Sequence, residues 1–271
     1  MPQAIWTNAT RFVLDGQAFA CSFDPSSDDL LCVRKPRPLV ESTLRLLAET
    51  RPRTLLEFGI ASGGSTALLA LAARPDRLVA CELAPERVAP LDDFIERRGL
   101  AGSVECHYGV DQGDRTTLSA VLGKGFGGAP IDLVIDDASH LLDETRASFE
   151  EVFPHIRPGG AYVIEDWSWQ SRLQHRVARP GTARPTAGGV EFTGDPGAGF
   201  ADYAAASAGK RSLAALALEL TLACACASDV VAGVAVDEHW VVVRRGPAPL
   251  EPGRFALADH VTDPGGVLGP R

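Results

Sequence analysis

The stretch from Ile131 to Trp167 reads IDLVIDDASHLLDETRASFEEVFPHIRPGGAYVIEDW and decides the fold of this chain. It begins with IDLVID, a short apolar run without helical spacing, which is typical of a parallel strand buried on both faces. Apolar residues then recur at helical spacing from Leu141 to Ile156, and Pro158-Gly159-Gly160 ends that pattern. AYVIED is a second buried apolar run. The stretch therefore predicts a strand, a helix and a strand of an open parallel sheet.

Acidic side chains and one histidine follow both predicted strands. Asp136, Asp137 and His140 follow the first strand, and Glu165 and Asp166 end the second. Open parallel sheets bind their ligands at the carboxyl ends of the strands. Four carboxylates converging there would repel one another unless a cation or a proton lay among them. We therefore predict a divalent metal ion with a histidine base beside it.

A second diagnostic stretch, Thr54 to Thr66, reads TLLEFGIASGGST. A predicted strand ends at Glu57, a glycine-rich turn follows, and a helix opens near Gly63. Glycines let the backbone approach a ligand closely, and the helix N-terminus offers free N–H groups. The spacing is E-x-G-x-x-x-G, which is neither a phosphate-binding P-loop nor the dinucleotide pattern G-x-G-x-x-G. The turn therefore predicts a nucleoside cofactor of another kind.

Glu82 ends the next predicted strand, Arg77 to Ala84. An acidic residue at this place can accept hydrogen bonds from both hydroxyls of a ribose. The alternative is a charge at the N-terminus of the helix that begins near Pro85. Further on, Asp111 and Gln112 follow a third strand, where an adenine would rest in such a fold.

Composition limits the kinds of binding partner and the cellular compartment that we expect for this protein. The net charge of −9 has no basic stripe to offset it, which argues against a nucleic-acid partner and favours a small molecule. The six cysteines show no CxxC pair, which indicates reduced thiols and a cytoplasmic location. No secretion signal begins the chain, and the most apolar stretch, Leu213 to Val236, is interrupted by polar residues. We therefore expect no membrane partner.

Three segments lie outside the predicted sheet. Residues 1–37 are expected to be an irregular arm or lid with one short hairpin, and the basic cluster Arg34, Lys35 and Arg37 is expected to be solvated, with an anionic contact as the alternative. The segment 168–211 is rich in glycine and proline, and long loops of this kind often form a lid or a substrate wall. The tail, 246–271, is expected to be loosely held.

These motifs together resemble the class I S-adenosylmethionine-dependent methyltransferases over residues 38–245, the predicted methyltransferase domain. The resemblance implies an α/β, Rossmann-like sheet of seven strands in the order 3-2-1-4-5-7-6, with strand 7 antiparallel and helices on both faces. IDDASH followed by RPGGAYVIEDW is similar to the macrocin- and mycinamicin-type sugar O-methyltransferases of antibiotic biosynthesis, which are related to the cephalosporin hydroxylase proteins.

The resemblance also implies roles for single residues. It places Asp137, Glu165 and Asp166 on the ligands of a metal ion, usually magnesium, and His140 on the general base. Asp136 is implied to be a cofactor-side or structural carboxylate. The cofactor motif is matched by Gly59, Gly63 and Glu82, with Glu57 and Ser62 as additional candidates.

We therefore predict an S-adenosylmethionine-dependent, metal-assisted O-methyltransferase that acts on a sugar hydroxyl of a glycosylated natural product. The sequence leaves the oligomeric state open, with a homo-oligomer as one option. One alternative is an oxygenation like that of cephalosporin hydroxylases, for which two histidines and one carboxylate would be expected, whereas only His140 is well placed. Others are a metal-free methyltransferase and a protein that binds the nucleoside without catalysis. A dinucleotide-dependent oxidoreductase is disfavoured, because the glycine turn of this sequence lacks the third glycine of the G-x-G-x-x-G pattern.

Overall fold

The computed structural model of the chain describes residues 2–172, 183–186, 189–192, 207–263, 266 and 268. For residues 183–186 and 189–192 it describes the backbone alone, which forms a two-stranded antiparallel ribbon (β10, Ala183–Thr186; β11, Gly189–Phe192). Most of the predicted 168–211 loop therefore lies outside the described residues.

A seven-stranded sheet forms the centre of the structure, with the order β12-β13-β9-β8-β5-β6-β7. In chain order its strands are β5 (Thr54–Phe58), β6 (Arg77–Glu82), β7 (Val104–Tyr108), β8 (Ile131–Asp136), β9 (Ile156–Glu165), β12 (Val231–Val236) and β13 (Trp240–Arg245). The last strand, β13, runs antiparallel to both of its neighbours. The predicted order 3-2-1-4-5-7-6 and the antiparallel strand 7 are thus confirmed.

Helices cover both faces of this sheet, as predicted. They are α1 (Arg37–Thr50), α2 (Gly64–Ala73), α3 (Ala89–Arg97), α4 (Arg115–Phe126), α5 (Leu142–Val152) and α6 (Ala214–Cys226). Leu55 packs with the buried residues of α1 to α3, whereas Leu56 and Phe58 pack with those of α4 to α6. Because successive side chains of a strand point to opposite faces, one apolar strand supplies both halves of the core.

The N-terminal segment is more ordered than the predicted arm. It forms a four-stranded sheet of β1 (Ile5–Trp6), β2 (Arg11–Leu14), β3 (Gln17–Cys21) and β4 (Leu30–Val33). The predicted hairpin joins β2 to β3 around Asp15-Gly16. Phe12 and Phe19 stack on each other and pack into the core beside α1 and α2. Apolar residues that alternate along these strands need a buried face, which the helices provide.

The described part of the C-terminal tail also differs from the prediction. Phe255 and Leu257 are buried, and the Phe255 ring contacts the rings of Phe149 and Phe153. The tail therefore closes the core under α5 instead of being loosely held. Within the described ranges, none of the helices combines the length and the apolar character that a membrane crossing requires.

Candidate active site at the carboxyl edge of the sheet

The glycine turn after β5 is fitted tightly against the turn after β8. Gly59 has a φ of 97°, and a Cβ atom at this position would overlap the carbonyl oxygen of Asp137. Glu82, at the end of β6, accepts hydrogen bonds from the backbone N–H groups of Ile60 (3.0 Å) and Ala61 (2.8 Å). The turn is therefore held from both neighbouring strands, and only glycine fits at position 59.

A cavity of about 550 Å³ opens beside this turn. Four predicted cofactor residues line it: Gly59, Glu82, Asp111 and Gln112. Asp137, a predicted metal ligand, lines the same cavity. The volume is in the range of small-molecule and cofactor sites, so the cavity can accept a nucleoside next to the carboxylate cluster.

Three other predicted cofactor residues shape the turn from behind. Glu57 accepts a hydrogen bond from the Thr66 hydroxyl (2.6 Å), and burial raises the pKa of Glu57 to about 7. Ser62 is buried and accepts from Nε of Arg34 (3.1 Å). Gly63 caps α2 with a φ of 82°, where a Cβ atom would come within 2.8 Å of Leu91. These residues fix the entry of α2.

Asp136 lies in a buried polar network under the cavity. Its carboxylate accepts hydrogen bonds from Tyr162 (2.7 Å), Ser148 (3.1 Å) and Gln112 (3.2 Å). Burial raises the pKa of Asp136, and these three donors oppose that rise. The Gln112 side-chain oxygen in turn accepts from the Ser139 N–H (2.8 Å). The network supports the structural alternative for Asp136, since it fixes the turn that carries Asp137 and His140.

Lys35 lies between two of the predicted metal ligands. Its ammonium group donates to Asp137 and to Glu165, the latter at 2.7 Å, and its side chain is 3% exposed. Burial alone would lower the pKa of Lys35, but the two carboxylates outweigh burial and raise it. The expectation that this basic cluster is solvated is therefore wrong for Lys35, because β4 carries it to the edge of the central sheet.

Asp166, the third predicted ligand, has a different partner. It accepts a hydrogen bond from Arg172 (2.7 Å), and the ring of His239 is 3.7 Å away. Its φ of 50° is uncommon for a residue other than glycine. His140 shares this feature, with a φ of 54°. Backbone strain of this kind clusters at functional sites, and here it falls on two predicted site residues.

Among the described residues, one group of two carboxylates and an imidazole lies close enough together to hold a metal ion. One ligand atom from each of Asp137, His140 and Asp166 lies within 4.8 Å of the others. Nε2 of His140 is 3.9 Å from the Asp137 carboxylate. Glu165 is not part of this group, although its Oε1 is buried without a hydrogen-bond partner among the described residues. Carboxylate oxygens from the turns that follow β8 and β9, with one nearby imidazole, fit a small divalent ion.

Sequence reasoning placed Arg34 and Lys35 in a solvated basic cluster, with an anionic contact as the alternative, and gave neither residue a role in the site. Arg34 lines the cavity, whereas Arg37 lies on the surface, pairs with Glu41 and stacks over Trp6. A usable signal was present: Arg34 and Lys35 directly follow the apolar run LLCV, as the acidic residues follow their own strands. The sequence could not show that β4, which belongs to another sheet, ends beside the carboxyl edge of the central sheet.

Comparison with known proteins agrees with this geometry. Residues 56–167 match a family model described as a methyltransferase domain. A demethylmacrocin O-methyltransferase of Streptomyces fradiae is 52% identical over 56 residues, which are 21% of this chain and 13% of that protein. An L-olivosyl-oleandolide 3-O-methyltransferase of Streptomyces antibioticus is 57% identical over 74 residues, 27% of this chain and 18% of that protein.

Solved structures share the fold. The MycE methyltransferase in complex with Mg, SAH and mycinamycin VI superposes with a TM-score of 0.50 and 22% identity, covering 76% of this chain and 49% of MycE. The O-methyltransferase TomG from Streptomyces achromogenes, in complex with SAM, gives 0.50 at 20% identity, covering 78% of this chain and 81% of TomG. The chain thus spans about half the length of MycE. Its residues 56–167 match a methyltransferase domain, and over short stretches the chain resembles the macrocin- and mycinamicin-type sugar O-methyltransferases.

Proposed function

We propose that this chain transfers the methyl group of S-adenosylmethionine to a hydroxyl of a sugar, or deoxysugar, in a glycosylated natural product. One observation carries the proposal: a single cavity joins the glycine turn and Glu82 on one side to Asp137 on the other, with His140 three residues further on. A nucleoside bound against Glu82 would place its reactive end toward the carboxylates. One of the relatives named above acts, by its name, on a compound that carries an L-olivosyl sugar, and this supports the acceptor class.

The chain's own residues have distinct tasks in this reaction. S-adenosylmethionine, when bound, supplies an electrophilic methyl group for an in-line displacement by the acceptor oxygen. Glu82 accepts hydrogen bonds from the ribose hydroxyls, and the turn at Gly59 lets the backbone approach the cofactor. His140 accepts the proton of the attacking hydroxyl as the new O–C bond forms. Much of the remaining catalysis is positioning, since displacement requires a fixed line of approach.

A magnesium ion, or another hard divalent ion, fits the proposal. Asp137 and Asp166 would hold it, and His140 would act as the base beside it. A metal ion bound there supplies positive charge that lowers the pKa of a sugar hydroxyl. Lys35 and Arg172 already pair with these carboxylates, and this observation favours a metal-free methyltransferase as the second candidate.

Chelation separates the two candidates. We expect EDTA to stop methylation and added magnesium to restore it, because the acceptor hydroxyl is a poor nucleophile without a neighbouring cation. The measurement is S-adenosylhomocysteine release before and after metal removal. Full activity in EDTA would instead assign the neutralising role to Lys35 and Arg172 alone.

The acceptor class is tested with demethylmacrocin and with the aglycone that lacks its sugars. We expect mass spectrometry to find one added methyl group on the glycosylated compound and none on the aglycone. Methylation of the aglycone would contradict the sugar assignment. If S-adenosylhomocysteine binds but no glycosylated acceptor is methylated, the chain is a cofactor-binding protein without this activity.

Arg34 is expected to bind the carboxylate of the cofactor's amino-acid part. Among the described residues that line the cavity it carries the only positive charge, facing acidic residues such as Glu82, Glu86 and Glu144. Arg34→Ala should weaken binding of S-adenosylhomocysteine by roughly 10- to 100-fold, since a hydrogen bond to a charged group contributes about 1.5–3 kcal/mol. Binding of 5′-methylthioadenosine, which lacks the amino acid, should not change. Isothermal titration calorimetry measures both.

Arg37→Ala is the matched control, because Arg37 is an exposed arginine outside the cavity. It should leave both affinities unchanged. An equal loss of both ligands in Arg34→Ala would mean that Arg34 supports the turn through Ser62 and does not contact the carboxylate.

A further inference from the structure

Lys35 is set apart from the other lysines of the chain. There are three, Lys35, Lys124 and Lys210. The side chains of Lys124 and Lys210 are 71% and 44% exposed and pair with surface carboxylates. Lys35, by contrast, is buried between Asp137 and Glu165. Fully buried lysines are rare unless they are paired, so this position needs a reason within the site.

The backbone around Lys35 is built to hold it there. Gly64 leaves room for the carbonyl group of Cys32, which a Cβ atom would overlap. The hydroxyl of Ser26 donates to the Ser62 carbonyl (2.6 Å) and accepts from the Cys32 N–H (2.8 Å). These contacts tie β4 to the glycine turn at Cys32, which precedes Lys35 by three residues. The backbone of β4 therefore places the ammonium group of Lys35 between the two carboxylates.

We propose that Lys35 is a built-in cation that occupies the position between Asp137 and Glu165 which a divalent ion would otherwise take. Glu165 is then the anchor of Lys35 and not a metal ligand, and an ion is held on the other side of Asp137, with Asp166. The separation of Glu165 from the Asp137, His140 and Asp166 group agrees with this assignment. The inference rests on the proposed metal-assisted function but concerns binding, not turnover.

The proposal predicts a change in metal affinity when Lys35 is removed. Lys35→Met should bind Mn²⁺ about 10-fold more tightly than the wild type, or better, because two carboxylates lose a cation in direct contact. With Lys35 in place, the single substitution Glu165→Gln should change the Kd for Mn²⁺ less than about 3-fold. The single substitution Asp166→Asn should weaken Mn²⁺ binding by about 10-fold. Mn²⁺ titration followed by electron paramagnetic resonance measures all of these values without an acceptor.

Two controls complete the experiment. Lys124→Met removes an exposed, paired lysine and should leave the Kd unchanged. The double variant Lys35→Met with Glu165→Gln removes both partners of the buried pair, so it does not leave a buried carboxylate unpaired as the single variant does. It should lose most of the gain in Mn²⁺ affinity that Lys35→Met shows. Circular dichroism confirms that each variant is folded.

The outcomes separate this inference from the function on which it rests. Tight Mn²⁺ binding by Lys35→Met, with none by the wild type, would support the role of Lys35 and remove the metal from the proposed reaction. Unchanged or weaker binding by Lys35→Met would overturn the inference. So would a 10-fold loss in Glu165→Gln, because Lys35 would then have to leave its place when the metal binds.

Discussion

Methyl transfer should fall by about 10²–10⁴-fold when His140 is replaced by alanine, the range expected for loss of a general base. His140 follows Asp137 by three residues, and its Nε2 atom is 3.9 Å from the Asp137 carboxylate. Affinity for S-adenosylhomocysteine should not change, because His140 is outside the residues that line the cofactor cavity. Single-turnover kinetics and calorimetry measure the two quantities.

The backbone of His140 requires a second variant. Its φ of 54° suits asparagine better than alanine, so His140→Asn removes the base with less strain. Both variants should lose activity to the same extent. Activity near the wild-type rate in either one would show that His140 is not the base, and loss only in His140→Ala would point to the backbone of the turn.

Gly59→Ala should lower the free energy of unfolding by about 2–4 kcal/mol and abolish cofactor binding. The estimate combines strain at a left-handed backbone position with overpacking in a closed site. The added methyl group would overlap the carbonyl oxygen of Asp137 at a φ of 97°. Relief requires the turns after β5 and β8 to separate, which also moves the residues that line the cavity. Urea unfolding and calorimetry with S-adenosylhomocysteine measure the two effects.

Gly123→Ala provides the matched control for this prediction. Gly123 lies in α4, and nothing lies within 4 Å of where its Cβ would be. Alanine there should stabilise the protein by roughly 0.5–1 kcal/mol, because it restricts the unfolded chain and favours the helix. Cofactor binding that survives in Gly59→Ala would contradict the close approach proposed for this turn.

The sequence alone determined the central sheet of this protein. The central strands β5 and β8 are short apolar runs, TLLEF and IDLVID, whose alternating side chains need two covered faces. Helices such as α1 and α5 repeat their apolar residues with a helical period. Such local patterns fix the α/β class and place Gly59, Glu82, Asp137 and His140 at one edge. The resemblance to methyltransferases then supplied the strand order, which the structure confirms.

Tertiary structure alone decided how the charges of the site are balanced. From the sequence, Asp137, Glu165 and Asp166 required a cation or a proton among them, and a metal ion was the cation that we predicted. The fold brings Lys35 between the first two and Arg172 to the third. Lys35 is separated from Asp137 by 102 residues along the chain, and no local pattern reports a contact of that range. The physical reason is that periodicity depends on near neighbours, whereas the pairing of buried charges depends on which strand ends the packed core brings together.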